Sequence, residues 1–594
     1  MCRIHGFLNG DGSARDLPVV AALQHHGGPD GTGSAGGDGW GLGSNRLAVM
    51  DVEGGGQPYR LGPHLTVVFN GEIYNHEQLR ASLRSRGYQF ADRCDGSVLP
   101  ALYDAYGAEF VDHLDGMYAI AVMDTRGPRP VLLLATDPSG MKPVYHHWDP
   151  VARRLHFASE LPALLGFAAV PAVRREAGLE EYLAGKAPYG TDTFYAGIEV
   201  LPPGALLRCV SGETPVLRRR DDTGPAERDD DLASAGRDLL DLLWTEVGRL
   251  LVADVPVAVV TSGGLDSSLV TAIAARQHPP IHSFTVAYRG DWPFDERGYA
   301  AEVAERAGTV HHVVEVDPAT LPGLAQEVVD HLGQPNADPI TLSSYALFAA
   351  VREAGFTVAL TGDAADEMFG GYARMRAAVD ADRAGADWLP DYLDALAVLP
   401  AAGRHALYTD EYRRFLGGYR GLPTGAVEAL RGQGPVLRRI RDFERLHRLP
   451  AYHLRRVDHL SMASSVEVRL PFCQPSVVRC ARRKPDHLLI ADGQVKRPLY
   501  SAARGLVPGS VLGRPKQPFT LPLTAMLTPG APLWDLVRDA LAPQRLRADG
   551  RLDPAAVEAL FSRQESGKDD EAALALWALT VHAMWSRSRV AMPA

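Results

Sequence analysis

Residues Thr261-Ser262-Gly263-Gly264-Leu265-Asp266-Ser267-Ser268 stand between the apolar run Val257–Val260 and the sequence Leu269-Val270-Thr271-Ala272-Ile273, which reads as a helix. A strand, a glycine turn and a helix start in this order predict an α/β layer with a ligand loop at the carboxyl end of its strand. Glycine lets the backbone approach an anion closely. Ser262, Ser267 and Ser268 add hydroxyls where free N–H groups and the helix dipole already favour negative charge. The loop is built to hold phosphate, yet the lysine that follows the second glycine of the common nucleotide loop is missing, and Asp266 stands in the loop instead. A carboxylate beside phosphate fits a bridging Mg²⁺, an ion that takes oxygen ligands from one or two carboxylates and from phosphate itself.

The chain around this loop changes character three times. Up to about residue 208, short β runs such as Leu65–Phe69, Met117–Met123 and Val131–Ala135 alternate with helical patterns, which predicts layered sheets and helices. From about 209 to 234 the sequence is polar and charged and reads as a linker. Beyond it, strands alternate with longer helices, which predicts a parallel sheet, and past about 375 the pattern is mostly helical. With 594 residues, two or three domains are expected. A formal net charge of −11 argues against nucleic acid as the main partner. No run approaches the length of a membrane span and the first residues lack the order of a signal peptide, so a cytoplasmic protein is expected. Five cysteines without a C-x-x-C pair suggest neither a disulfide framework nor a zinc site.

Cys2 is one of the five. Loss of Met1 would leave it with a free α-amine, a group that titrates near neutrality and serves as general base for a thiol on the same residue. On residue identity alone, Cys2 reads first as an ordinary cysteine. Asn70-Gly71-Glu72-Ile73-Tyr74-Asn75, placed after the strand Leu65–Phe69, offers the donor types of an oxyanion hole, or simply a hairpin turn. Cys2, Arg46-Leu47-Ala48-Val49-Met50-Asp51, the Asn-Gly-Glu segment and Cys94-Asp95-Gly96 follow the order of class II glutamine amidotransferases, and residues 2–208 resemble that domain. The resemblance implies that Cys2 attacks the glutamine amide and that Asn70 with the Gly71 N–H holds the oxyanion. It also implies that Arg46 and Asp95 bind the α-carboxylate and α-ammonium of glutamine, with Glu72 in the same pocket. Charge complementarity suits these roles.

A second acidic cluster, Thr361-Gly362-Asp363-Ala364-Ala365-Asp366-Glu367, follows the apolar run Thr357–Leu360. By itself it fits a capped helix start as well as a metal-facing loop. With the Ser-Gly-Gly-x-Asp-Ser loop, Asp254-Val255-Pro256, Arg456-Val457-Asp458 and Glu467-Val468-Arg469-Leu470-Pro471-Phe472, the region resembles the asparagine synthetase family. The resemblance implies an amino-terminal αββα glutaminase domain of the Ntn type over 2–208 and a parallel-sheet α/β ATP-pyrophosphatase domain over 235–594, with a helical carboxy-terminal part. ATP would lie against Thr261–Gly264, Asp266–Ser268, Val286 and Thr361-Gly362. Asp363, Asp366 and Glu367 would face the acyl substrate and pyrophosphate, Asp266 and Asp366 would hold Mg²⁺, and Lys496 would be the active-site lysine.

Together these roles imply a ligase that hydrolyses glutamine at Cys2 and uses ATP, releasing AMP and pyrophosphate, to amidate a small carboxylic acid. The acid is aspartate or a specialised metabolite, ammonia crosses a water-poor passage between the sites, and homodimerisation is left open. A β-lactam-synthetase-like cyclase and a non-catalytic ATP- or glutamine-binding regulator are the alternatives, against which Cys2, Arg46, Asp266 and Lys496 speak. The chain departs from the family pattern in several places. Arg3 stands where glycine is usual, Gly27 stands where the family has the arginine of Arg-Gly-Pro-Asp, and Ala364-Ala365 and Cys473-Gln474 are also altered.

Overall fold

The computed structural model describes residues 2–10, 12–220, 231–514 and 521–588. The amino-terminal half is built on twelve strands: β1 (Cys2–Leu8), β2 (Gly31–Gly37), β3 (Trp40–Arg46), β4 (Tyr59–Leu61), β5 (Leu65–Ile73), β6 (Gly116–Asp124), β7 (Val131–Thr136), β8 (Tyr145–Asp149), β9 (Arg154–Ala158), β10 (Ile198–Val200), β11 (Ala205–Val210) and β12 (Val216–Arg219). They form two six-stranded sheets, ordered β10-β8-β9-β1-β3-β2 and β12-β11-β7-β6-β5-β4. Strand periodicity explains how they stack. From β1, Ile4 and Leu8 enter a core shared with Val68, Ala119 and Leu134 of the other sheet, while Phe7 turns outward to Leu17 and Val20. On the far side, Val67 and Phe69 pack with Leu99 and Leu102 of the helix Leu99–Tyr106. The result is the expected helix, sheet, sheet, helix layering.

Two details differ from the sequence reading. β5 runs on to Ile73, so Asn70-Gly71 lies inside a strand opposite Ala119 and Tyr118 and is not a turn. The expected linker is also shorter at its start, because β12 pairs with β11 and carries the sheet to Arg219. Residues 221–230 of that linker lie outside the described residues, and a helix begins at Leu232.

The carboxy-terminal half holds a five-stranded parallel sheet of β13 (Val257–Val260), β14 (His282–Tyr288), β15 (Val310–Val316), β16 (Val358–Leu360) and β17 (Glu467–Arg469), ordered β15-β14-β13-β16-β17. Strand order reverses between β13 and β16, so the loops leaving these two strands diverge to opposite faces and open a crevice at their carboxyl ends, where ligands bind in such sheets. The phosphate-type loop follows β13 and the acidic cluster follows β16. Helices account for most of the chain beyond residue 375, β17 excepted. Among the described residues, no helix is long and apolar enough to cross a membrane.

Candidate active sites

Cys2 sits opposite Arg46 in the β1–β3 pairing and is buried. Its backbone N–H donates to Asn70 Oδ1 at 3.2 Å, and Gln57 Nε2 donates to its Sγ at 3.2 Å. Asn70 Nδ2 is buried and has no hydrogen-bond partner among the described residues. An unspent amide donor beside a sulfur is what an oxyanion needs. At Gly71, with φ 146°, a Cβ would meet the Met117 carbonyl oxygen at 2.0 Å, so only glycine lets β5 lie this close to β6.

Arg46 is held by the carbonyls of Met50, Asp51 and Val52 at 3.0, 2.7 and 3.3 Å. These bonds present its guanidinium at the rim of the Cys2 site. Asp95 is buried, accepts the Ile73 N–H at 2.7 Å, and has its carboxyl pushed up by burial. Burial also pushes the Cys2 thiol up, so a base must take its proton before it attacks. Glu72 also reaches toward the other half. Its carboxylate lies 3.6 Å from Arg469 of the other half, and burial with Glu467 and Asp95 nearby raises it well above the usual range. Two residues from Asn70 on the same face of β5 and with Asp95 nearby, Glu72 borders the Cys2 centre as well as Arg469.

Sequence reasoning missed Gln57. Its side-chain amide mimics a strand residue, donating to Phe69 O at 2.9 Å and accepting from Phe69 N at 2.7 Å, which aims Nε2 at the sulfur. The one trace in sequence is the glycine-rich strand β2. A Cβ at Gly33 would meet the Gln57 carbonyl oxygen at 1.9 Å, so glycine there admits the loop that carries Gln57.

The second group forms at the crevice. Gly263, with φ 72°, turns the chain into the helix Leu265–Gln277, and a Cβ there would strike Tyr299 at 2.6 Å. Ser262 and Ser267 brace the loop. Ser262 N donates to Ser267 Oγ at 3.1 Å, and Gly264 N donates to Ser262 Oγ at 3.3 Å. Thr261 Oγ1 is bonded to Thr271 at 2.6 Å beneath the loop, whereas the buried Ser268 Oγ has no partner among the described residues. Gly362 brings the loop after β16 against the same helix start, since a Cβ there would lie 2.6 Å from Ser267 N. Val286 is buried in the neighbouring strand β14.

Lys496 joins the two loops. Its Nζ lies 2.6 Å from Asp266 Oδ2 and 2.7 Å from Asp366 Oδ1. Burial works against the ammonium, but the two carboxylates outweigh it and keep Lys496 charged. Two carboxylates converging on one cation beside an anion loop are a donor set that fits Mg²⁺, because that ion asks for one or two carboxylates and completes its shell with phosphate and water. Asp363 accepts from Thr361 Oγ1 at 2.6 Å and faces Arg456 Nη2 at 3.8 Å, and Arg456 also pairs with Asp338. Glu367 accepts from Tyr372 OH at 2.6 Å and lies 3.1 Å from His453 Nε2. Burial, with Asp366 and Glu444 nearby, raises it to about 7.

A family model described as asparagine synthase matches residues 238–587, and one described as glutamine amidotransferase domain matches residues 1–219. Among curated proteins, the chain is 30% identical to glutamine-hydrolyzing asparagine synthetase 3 of Bacillus subtilis over 83% of this chain and 82% of the relative. It is 28% identical to glutamine-hydrolyzing asparagine synthetase 1 of the same organism over 94% and 91%. To asparagine synthetase B of Escherichia coli, also glutamine-hydrolyzing, it is 32% identical over 63% and 65%. Both centres built above fall inside the matched regions, and the chain belongs to the asparagine synthase family, with a glutamine amidotransferase domain at its amino-terminal end.

Proposed function

We propose that the protein is a glutamine-dependent amide synthetase that releases AMP and pyrophosphate. The observation that carries the reading is the Lys496 bridge between Asp266 and Asp366, which joins an anion loop to the acidic loop of the next strand at 2.6 and 2.7 Å. At the amino-terminal centre, with Met1 removed, the α-amine of Cys2 takes the thiol proton and the sulfur attacks the side-chain amide of glutamine. Asn70 Nδ2 and the Gly71 N–H stabilise the oxyanion, while Arg46 and Asp95 hold the two ends of the amino acid. Ammonia leaves, and water releases glutamate from the thioester. Gln57 keeps the sulfur in place.

At the second centre Thr261–Gly264, Ser267, Ser268, Val286 and Thr361-Gly362 bind ATP. A carboxylate oxygen of the acid attacks the α-phosphorus, pyrophosphate departs, and ammonia then displaces AMP from the acyl-adenylate to give the amide. Lys496 stabilises the charge that gathers on the phosphates during the first of these steps. Asp266 and Asp366 would hold Mg²⁺, which when bound offsets the charge of pyrophosphate. Asp363 and Glu367 border the acid.

Ammonia crosses between the halves. Val49, Met117 and Met141 on one side and Met462, Val466 and Val468 on the other belong to one buried apolar cluster, which favours a water-poor path. The glutaminase domain ends near Arg219 and the synthetase domain begins near Leu232. The acid is aspartate, as the names of the relatives suggest, or a specialised carboxylic acid. The test is pyrophosphate release with glutamine and ATP over a panel of carboxylic acids that includes aspartate. Formation of ADP and phosphate, or no response to any acid, would overturn the reading.

A further inference from the structure

Cys2 and Arg3 are neighbours on β1 and point to opposite faces of its sheet. Arg3 has no exposed surface. Its Nε lies 2.7 Å from Glu160 Oε1, and its Nη1 donates to Asp458 Oδ2 at 2.5 Å. Lys142 Nζ occupies the other oxygen of Asp458 at 3.0 Å, and His26 Nε2 lies 3.1 Å from Glu160 Oε1. Buried charges in such a cluster are strongly interdependent, because removing one leaves its partner unpaired in a medium of low polarity. Arg3, Lys142 and Glu160 come from the amino-terminal half. Asp458 comes from the other half, 455 residues from Arg3 along the chain.

Asp458 belongs to the helix Arg455–Ala463. Two residues earlier in that helix Arg456 pairs with Asp338 and lies 3.8 Å from Asp363. One helix thus touches both the acidic loop at the synthetase centre and the residue next to Cys2. A carboxylate substrate entering beside Asp363 would compete for Arg456, and a shift of this helix would move Asp458 and the guanidinium that it grips.

Position 27 completes the picture. A Cβ on Gly27 would sit 2.7 Å from Arg3 Cγ and Nε, and the φ of Gly27 is not in the left-handed region. Arg3, and not backbone strain, excludes a side chain there. The cluster can receive a guanidinium from position 3 or from position 27, but not from both.

We propose that Arg3 is a positioning residue that ties the Cys2 strand to the helix Arg455–Ala463, so that glutamine hydrolysis keeps step with acid activation, and that Gly27 is the vacancy this arginine requires. The proposal rests on the reading of the two centres given above. The test measures glutamate and pyrophosphate released by the full chain from glutamine, ATP and an accepted acid, and pyrophosphate released with ammonia in place of glutamine. Arg3→Gly and Asp458→Asn are expected to keep ammonia-driven pyrophosphate release within about twofold of the parent. They should raise the ratio of glutamate to pyrophosphate at least about fivefold. The double variant R3G/G27R is expected to bring that ratio back toward the parent value.

An unchanged ratio in both single variants would overturn the proposal. Equal loss of the ammonia-driven reaction would do so as well, since the cluster would then serve folding alone. A parent protein that releases no glutamate from glutamine would instead overturn the functional reading itself.

Discussion

Asn70 and Cys2 share one bond and leave another open: the Cys2 N–H donates to Asn70 Oδ1 at 3.2 Å, while Asn70 Nδ2 is buried with no partner among the described residues. Asn70→Ala removes that open donor. Glutamate release should fall by about 10²–10³-fold, the usual cost of one oxyanion donor. Ammonia-driven pyrophosphate release should persist, and assaying both reactions on one preparation separates a lost donor from a damaged fold.

Cys2→Ala should abolish glutamine use and leave ammonia as the only nitrogen source. In the parent, burial pushes the thiol up, so the reactive form is depleted at low pH. The α-amine that takes the thiol proton titrates near pH 7.7–8.0, so glutamate release should rise between about pH 6.5 and 8.5. A flat profile would exclude deprotonation of Cys2 as the controlling event.

Lys496→Met leaves Asp266 and Asp366 facing each other without their shared ammonium. Pyrophosphate release should drop by at least about 10²-fold, as for other lost transition-state charge partners. Glutamate release, which depends on the other centre, should remain measurable. A variant that retains full pyrophosphate release would remove Lys496 from the chemistry.

Metal removal should divide the two activities in the same way. A chelator should stop pyrophosphate formation and spare glutamate release, and added Mg²⁺ should restore the first. If glutamate release stopped as well, the metal would have a role at the amino-terminal centre that its residues do not suggest.

Glu367 makes a prediction about stability. Burial, followed by Asp366 and Glu444, raises its folded pKa from 4.5 to about 7, so the folded protein binds a proton that the unfolded chain gives up. This stabilisation is fully present below about pH 4.5 and is lost as pH rises through about 7. Glu367→Gln mimics the neutral carboxyl, so its Tm should gain on that of the parent between pH 5 and pH 8, by on the order of 2–4 °C. Thermal unfolding of both proteins at the two pH values checks the sign.

Local pattern made much of this legible. Val257–Val260 is a strand with the bounds its residues suggest, because a short apolar run ended by two glycines has few other ways to be buried. The layered sheets followed from runs such as Val131–Ala135, since β-branched and aliphatic residues at that spacing need covering on both faces. Asn70-Gly71 was open to two readings, an oxyanion donor pair after the strand or a hairpin turn. Asn-Gly is a turn signal, but pairing with Ala119 and Tyr118 outweighed it and drew the strand on to Ile73. Asn70 and Glu72 lie two residues apart and share one face of β5, and only the packing of the two halves brings Arg469 within 3.6 Å of that face.

The amino-acid sequence by itself determined the kinds of chemistry this chain carries. A terminal thiol, a glycine-bounded anion loop and an acidic segment each draw their character from residues within a few positions of one another, where backbone geometry and side-chain type are enough. Tertiary structure alone decided the partnerships: Gln57 on the Cys2 sulfur, Lys496 between Asp266 and Asp366, and Arg3 in the space that Gly27 leaves, gripping Asp458. These contacts join residues tens to hundreds of positions apart and depend on angstrom-scale closeness and burial, which no local pattern records.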